Sequence, residues 1–183
     1  DADGNFSWER FEEVYNSDLA NTLGNLGSRS IAMIEKYRAG VVPAAPPDAE
    51  LWAAHVADFD RARAAADGPR RYRPHECIGA LLDAARRTNE FIQRTQPWVL
   101  AKDDANATRL DEVLHSLAAS LAYFAAWLAP VMPLKMQLLW EQLGGNGDVT
   151  TVRLDHPIDV SGWKVTRGTS LFPKPLVSEN ITE

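Results

Sequence analysis

Apolar residues recur along most of the chain at alternating spacings of three and four, the period of an amphipathic helix. The first long stripe is Leu19, Leu23, Leu26, Ser30, Met33 and Tyr37. It predicts a helix over 17–39, with Ser17 as N-cap and Gly40 as the C′ residue that stops it. Ahead of it, Trp8, Phe11 and Val14 share one side of a short predicted helix over 7–15. Three prolines stiffen the connection Val41-Val42-Pro43-Ala44-Ala45-Pro46-Pro47. Asp48 is placed to cap a helix reaching residue 66, with Leu51, Trp52, His55, Val56 and Phe59 on its apolar side, before Gly68-Pro69 ends it. A third long helix is predicted over 74–95 on the stripe Ile78, Leu82, Ala85, Asn89, Ile92. Pro97 forbids helical geometry at Gln96 and so closes it. A fourth, starting near Asn106, carries Leu110, Leu114, Leu117, Leu121, Phe124 and Leu128 up to Pro130. A shorter fifth covers 133–143 with Leu134, Leu138 and Leu139.

The pattern breaks at Gly144-Gly145-Asn146-Gly147. Beyond it no helical stripe appears, and Pro157, Gly162, Gly168, Pro173 and Pro175 punctuate runs of Val, Thr and Ile. The expected fold is all-α: an antiparallel bundle of about five helices over 1–144, with an extended tail over 145–183 holding one or two short strands. Residues 113–134 carry no Asp, Glu, Lys or Arg and are long enough to span a bilayer. His115, Ser116, Ser120, the alanines and the two terminal prolines assign that run to the bundle, so no membrane partner is expected.

Composition narrows the function classes. With 183 residues, 45 % of them hydrophobic, the chain can bury a core and is not a disordered polymer. Cys77 is its only cysteine, which excludes an internal disulfide scaffold and suits a cytoplasmic location. The chain opens on Asp1 with an acidic, polar run, so no secretory leader is expected there, and a processed product or a piece of a longer protein is. Against 25 acidic residues stand 19 Lys and Arg, a net charge of −6. That excludes nucleic-acid binding by bulk charge, DNA included, but not local recognition.

Several catalytic readings fail on the residues. Gly-rich phosphate loops and a Gly-x-Ser-x-Gly elbow are absent from the sequence. His75 and Cys77 are two apart and diverge on a helix. Glu112-x-x-His115 occurs once, where a di-iron bundle needs it twice with two more inward glutamates. No metal site and no catalytic residue is therefore expected. The Asn-x-Ser/Thr sequons at Asn5, Asn106 and Asn180 matter only in a secreted chain.

Two features suit reading of an unpaired base. Asn25 and Arg29 are four apart, one turn over the other, and each precedes a stripe position, so they flank the buried seam. An amide and a guanidinium fork offer complementary donors and acceptors to a base edge. In Gln96-Pro97-Trp98 a proline fixes the backbone just before an indole, which suits stacking on a splayed base. The alternatives are a solvated polar pair and a Trp that covers the end of the core. Arg61, Arg63, Arg70, Arg71 and Arg73 form the densest basic run; Arg70, Arg71 and Arg73 are candidate phosphate contacts, or equally a solvated turn.

Longer segments carry a resemblance. Tyr15-Asn16-Ser17-Asp18-Leu19-Ala20-Asn21 with Leu23-Gly24-Asn25-Leu26 and Ser28-Arg29, then Lys36-Tyr37 and Gly40-Val41-Val42-Pro43, open it. Asn89-Glu90-Phe91-Ile92 and Pro97-Trp98-Val99-Leu100-Ala101-Lys102 continue it. Leu128-Ala129-Pro130-Val131-Met132-Pro133, Leu139-Trp140-Glu141-Gln142-Leu143-Gly144 and Leu171-Phe172-Pro173-Lys174 complete it. In this order they resemble the C-terminal, anticodon-binding part of methionyl-tRNA synthetases, over nearly the whole chain. The resemblance implies an α-helical bundle that binds the CAU anticodon of methionine tRNA. It puts Asn25 and Arg29 where the family reads anticodon bases, and Pro97 and Trp98 where it stacks one. It implies a tail that returns toward a catalytic domain, and ATP and Mg as cofactors of the whole enzyme, with none in this chain. The family's His-Ile-Gly-His and Lys-Met-Ser-Lys-Ser signatures are absent, so the chain alone is not expected to activate methionine. Gln96 replaces a small residue and Lys174 an arginine. Competing readings are the similar bundle of a synthetase for Ile, Val, Leu or Cys, a helical interaction module with no RNA partner, and a paralogue that lost its tRNA.

Overall fold

The computed structural model describes residues 6–67 and 72–173. Among them the elements are α1 (Trp8–Val14), a π-helical segment (Tyr15–Gly24), α2 (Asn25–Arg38), α3 (Ala49–Asp67), α4 (Pro74–Thr95), α5 (Pro97–Leu100), α6 (Ala107–Leu128) and α7 (Pro133–Leu143). As continuous rods these are five: one from Trp8 to Arg38, then α3, α4, α6 and α7, with α5 a single turn. The all-α bundle read from periodicity is the fold found.

The first rod departs from expectation at Ser17. No helix begins there. Ser7 caps α1 instead, accepting from the Arg10 amide. By Ser17 the preceding turn already supplies partners for the amides, so a cap has nothing to satisfy. Its hydroxyl lies 3.4 Å from the Val14 carbonyl and 3.2 Å from Asp18 Oδ1. The chain loosens into π winding, and Thr22 Oγ1 donates to the Ser17 carbonyl five residues back at 2.8 Å. The rod ends with Ala39 and Gly40 both left-handed, and Gly40 donates to the Ile34 carbonyl.

Asp48 caps the next helix as expected, its Oδ1 accepting from the Leu51 amide at 2.9 Å. Arg94–Glu50, Arg87–Asp58 and Arg61–Asp83 pair α3 with α4 in antiparallel register. Stripes drawn from sequence err where a face is wider or narrower than one seam. Val56 and Leu134 are exposed, because α3 and α7 turn those positions away from their neighbours. On α4 the buried set is Ala80, Leu81, Ala84, Ala85, Thr88, Phe91 and Ile92, while Ile78, Leu82 and Asn89 are half-buried. That helix is covered by α3, α6 and the first rod, so its buried arc is broad. The charge-free run of α6 lies at the centre, and among the described residues no helix is long and apolar enough to cross a membrane.

The tail forms no strand within the described residues. It makes an isolated bridge, Val41 to Lys164, with hydrogen bonds Val42 N to Trp163 O, Gly162 N to Val42 O and Val165 N to Gly40 O. Trp163 meets Trp140 edge-on at 4.9 Å. Leu171 and Phe172 are buried over two glycines of the first rod. A methyl on Gly24 would stand 3.4 Å from the Phe172 ring, and one on Gly27 3.5 Å from Leu171. Tyr15 donates its hydroxyl to the Pro173 carbonyl at 3.0 Å.

The core holds a fully buried histidine, His55. His55 Nε2 lies 3.0 Å from Ser120 Oγ and 3.1 Å from Thr88 Oγ1. Both hydroxyls already donate to backbone carbonyls, of Ser116 and Ala84, so Nε2 carries the proton and donates. Nδ1 has no partner among the described residues, and Trp52, Phe59 and Phe124 surround the ring. Desolvation, aided by the Arg87 charge, lowers its pKa to about 4. The folded state therefore resists a proton that the unfolded chain accepts. Stability is full above about pH 6.5 and falls as pH drops toward 4, by about 3 kcal/mol in all. Urea unfolding across that window should show the loss, and His55→Phe should flatten it.

Candidate nucleic-acid interface

Asn25 opens α2, at the point where π winding gives way to α winding, and its side chain is exposed. Arg29 follows one turn later, half-buried, while Leu26 and Ser30 beside them are fully buried. The pair flanks the seam, as their spacing requires.

Trp98 is set by the end of α4. Gln96 adopts φ 47° and ψ 65°, a left-handed turn that ends α4 where the following proline disfavours right-handed helical backbone. Pro97 is buried and opens the single-turn α5, whose Val99 and Leu100 amides bond back to the Gln96 carbonyl. The indole stays 37 % exposed on this rigid turn.

Register relates the two features. Arg86 pairs with Asp18 at 2.8 Å, and Asn89 Nδ2 donates to the Thr22 carbonyl at 3.1 Å. The first rod and α4 therefore run side by side in the same direction. At equal rise Thr95, the last residue of α4, comes near the level of Ser28, and the turn that carries Pro97 and Trp98 follows directly after it. A polar cleft of about 260 Å³, lined by Lys36, Tyr37 and Arg38 on one side and by Leu100, Asp103 and Asp104 on the other, joins the end of α2 to the segment after α5.

Arg38, Arg61, Arg86, Arg87, Arg94 and Arg109 are each neutralised by a carboxylate. Arg29, Lys36 and Lys102 at this end have no ion-pair partner among the described residues, a state they share with Arg10, Arg63, Lys135 and Lys164 elsewhere. Arg73 is different: it pairs with Glu76 at the start of α4, about 33 Å from Trp98 by helix length. Arg70 and Arg71 lie outside the described residues. Glu112 pairs with Arg109, and His115 Nδ1 meets the Pro43 carbonyl, so both residues of that half-motif have structural roles.

No family model matches the chain. A methionine–tRNA ligase of Caldanaerobacter subterraneus is 39 % identical over 188 residues, covering 98 % of the chain and 28 % of its own length. The ligase of Streptomyces coelicolor is 37 % identical, over 94 % of the chain and 34 % of its own length. The apo methionyl-tRNA synthetase of Mycobacterium tuberculosis superposes with a TM-score of 0.80 at 26 % identity, covering 92 % of the chain and 35 % of that protein. The chain belongs to the methionine–tRNA ligase family. It spans about a third of these ligases and corresponds to a C-terminal part of them. A second Mycobacterium tuberculosis structure, bound by methionyl-adenylate, superposes equally well at 27 % identity.

Within this ligase part, sequence reading missed Asn89. Its helical spacing makes it a stripe position, yet its amide donates to the Thr22 and Ala85 carbonyls and locks α4 to the rod below Asn25. A polar residue at a core position was the signal. The tail's grip on Gly24 and Gly27 was also unread, although the two small residues beside Asn25 invite a close approach.

Proposed function

We propose that this chain is the anticodon-binding module of a methionine–tRNA ligase, selecting methionine tRNA through its CAU anticodon. The ligase's catalytic part, using ATP and Mg, would attach methionine to the tRNA so selected. One observation carries the reading: a half-exposed indole on a proline-fixed turn stands level with a guanidinium that has no carboxylate partner among the described residues. Trp98 stacks an unpaired base, with Pro97 fixing the turn that presents it. Asn25 and Arg29 read base edges from the adjacent helix. Arg73, with Arg70 and Arg71, contacts phosphates farther along the stem, outside the reading site.

Binding rests on few cations in an acidic chain, so it is weak at physiological salt and steepens as salt falls. Titrating the chain with a CAU anticodon hairpin at several salt concentrations tests this. Arg29→Gln should lose about 5- to 150-fold in affinity for that hairpin, the value of one good base contact. A flat salt response, or an Arg29→Gln variant that binds as well as the parent, would refute the assignment.

A further inference from the structure

Among the described residues two other than glycine adopt positive φ, Ala39 and Gln96. Glycine or asparagine is the usual choice for such a left-handed helix stop, because a larger side chain's β-carbon crowds the backbone there. Ala39 brings only a methyl group into that conformation. Gln96 brings a long carboxamide. The turn itself does not use it: main-chain groups hold Gln96 from both sides. Its amide donates to the Ile92 carbonyl at 3.0 Å, and its carbonyl accepts from Val99 at 2.7 Å and Leu100 at 3.2 Å.

The Gln96 side chain is exposed and makes no hydrogen bond among the described residues. Its polar neighbours are already occupied. Arg94 pairs with Glu50, and Thr95 Oγ1 donates to the Phe91 carbonyl at 2.7 Å. Two residues on, across buried Pro97, stands the half-exposed indole of Trp98. On an open helix face a free glutamine is ordinary. Here it is kept at a cost in backbone strain, on the same rigid turn as the indole. Its chemistry fits a base edge. A carboxamide sets an acceptor beside donors, and cytosine sets its 4-amino donor beside the N3 acceptor, so one amide complements both. The Arg29 guanidinium holds donors only and cannot accept from that amino group.

We infer that Gln96 is a specificity-determining residue whose carboxamide reads the edge of the base stacked on Trp98. Its Oε1 accepts from the 4-amino group of the cytosine, and its Nε2 donates to N3. The inference rests on the proposed anticodon reading, with the first base of CAU as the one stacked.

A cycle between protein and RNA tests it, read by fluorescence anisotropy of labelled hairpins. The parent chain, Gln96→Ala, Gln96→Gly and Trp98→Ala are titrated with the CAU hairpin. Each is then titrated with a hairpin whose first anticodon base is 2-pyrimidinone, a cytosine without its 4-amino group. Gln96→Ala should lose about 5- to 150-fold on the CAU hairpin, the value of one bidentate base contact. On the second hairpin that loss should shrink by about fivefold or more, because the partner of Oε1 is gone. Gln96→Gly relieves the left-handed strain, so its urea midpoint should equal or exceed the parent's while its affinity falls like that of Gln96→Ala. If either Gln96 variant binds the CAU hairpin as the parent does while Trp98→Ala does not, the inference is overturned and anticodon reading stands. Equal losses of Gln96→Ala on the two hairpins would also overturn it, since Gln96 would then act without touching that base edge. A parent chain that binds neither hairpin would overturn anticodon reading, and this inference with it.

Discussion

Trp98→Ala should weaken binding of a CAU anticodon hairpin by about 5- to 150-fold, the worth of one stacked base. The magnitude follows from how the indole is held. Pro97 is buried and Gln96 is locked left-handed, so Trp98 has little freedom to lose on binding. On the proposed reading its exposed part is the stacking surface, and the rest packs at the helix end. Removing it leaves a modest defect there, because Pro97 and the α5 hydrogen bonds persist. Circular dichroism and urea unfolding should therefore change little while affinity collapses. Trp98→Phe should recover part of the loss, since a smaller ring still stacks. A Trp98→Ala variant that loses stability and affinity together would return Trp98 to a structural role at the end of the core.

Phe172→Ala should cost the largest stability of any single change in the tail, about 3 kcal/mol or more. The ring is 4 % exposed and fills the space that Gly24 leaves on the first rod. Its loss opens a cavity beside Tyr15 and undercuts the tail that Tyr15 tethers at Pro173. The rod section it supports ends at Asn25, so the effect reaches the face proposed to read bases. Urea unfolding should register the destabilisation, and hydrogen exchange should show faster opening at 160–173 and around Gly24. A cost under about 1 kcal/mol would mean that the tail can leave without loosening the rod.

Much of the scaffold was readable because its elements obey local rules. Pro74 and Pro97 fix both ends of α4, and Asp48 starts α3 with its own carboxylate. The leucine stripe of α6 is buried at every position named for it. What escaped was set by contacts between distant residues. Ser17 looks like a cap only if the turn before it is ignored. Val56 and Leu134 are apolar at helical spacing, yet no neighbour covers them. The tail was expected to hold strands from its Val and Thr content. It pairs with residues 40–42 for too short a stretch to make one, and spends its apolar groups on Gly24, Gly27 and Trp140 instead.

The candidate site divides the same way. The spacing of Asn25 and Arg29 and the geometry of Gln96-Pro97-Trp98 are local and could be read from the sequence. That the two lie level depends on Asp18–Arg86 and Thr22–Asn89, pairs separated by more than sixty residues. That Arg29 has no ion-pair partner among the described residues likewise depends on how the chain is arranged across the bundle.

The most direct test of anticodon reading is the affinity ratio between a CAU hairpin and the same hairpin altered at its first anticodon base. It is best measured on the purified chain at low salt, through quenching of tryptophan fluorescence. Anticodon reading predicts preference for CAU by about tenfold or more, with quenching that disappears in Trp98→Ala. Equal affinity for the two hairpins, or quenching that survives Trp98→Ala, would contradict it.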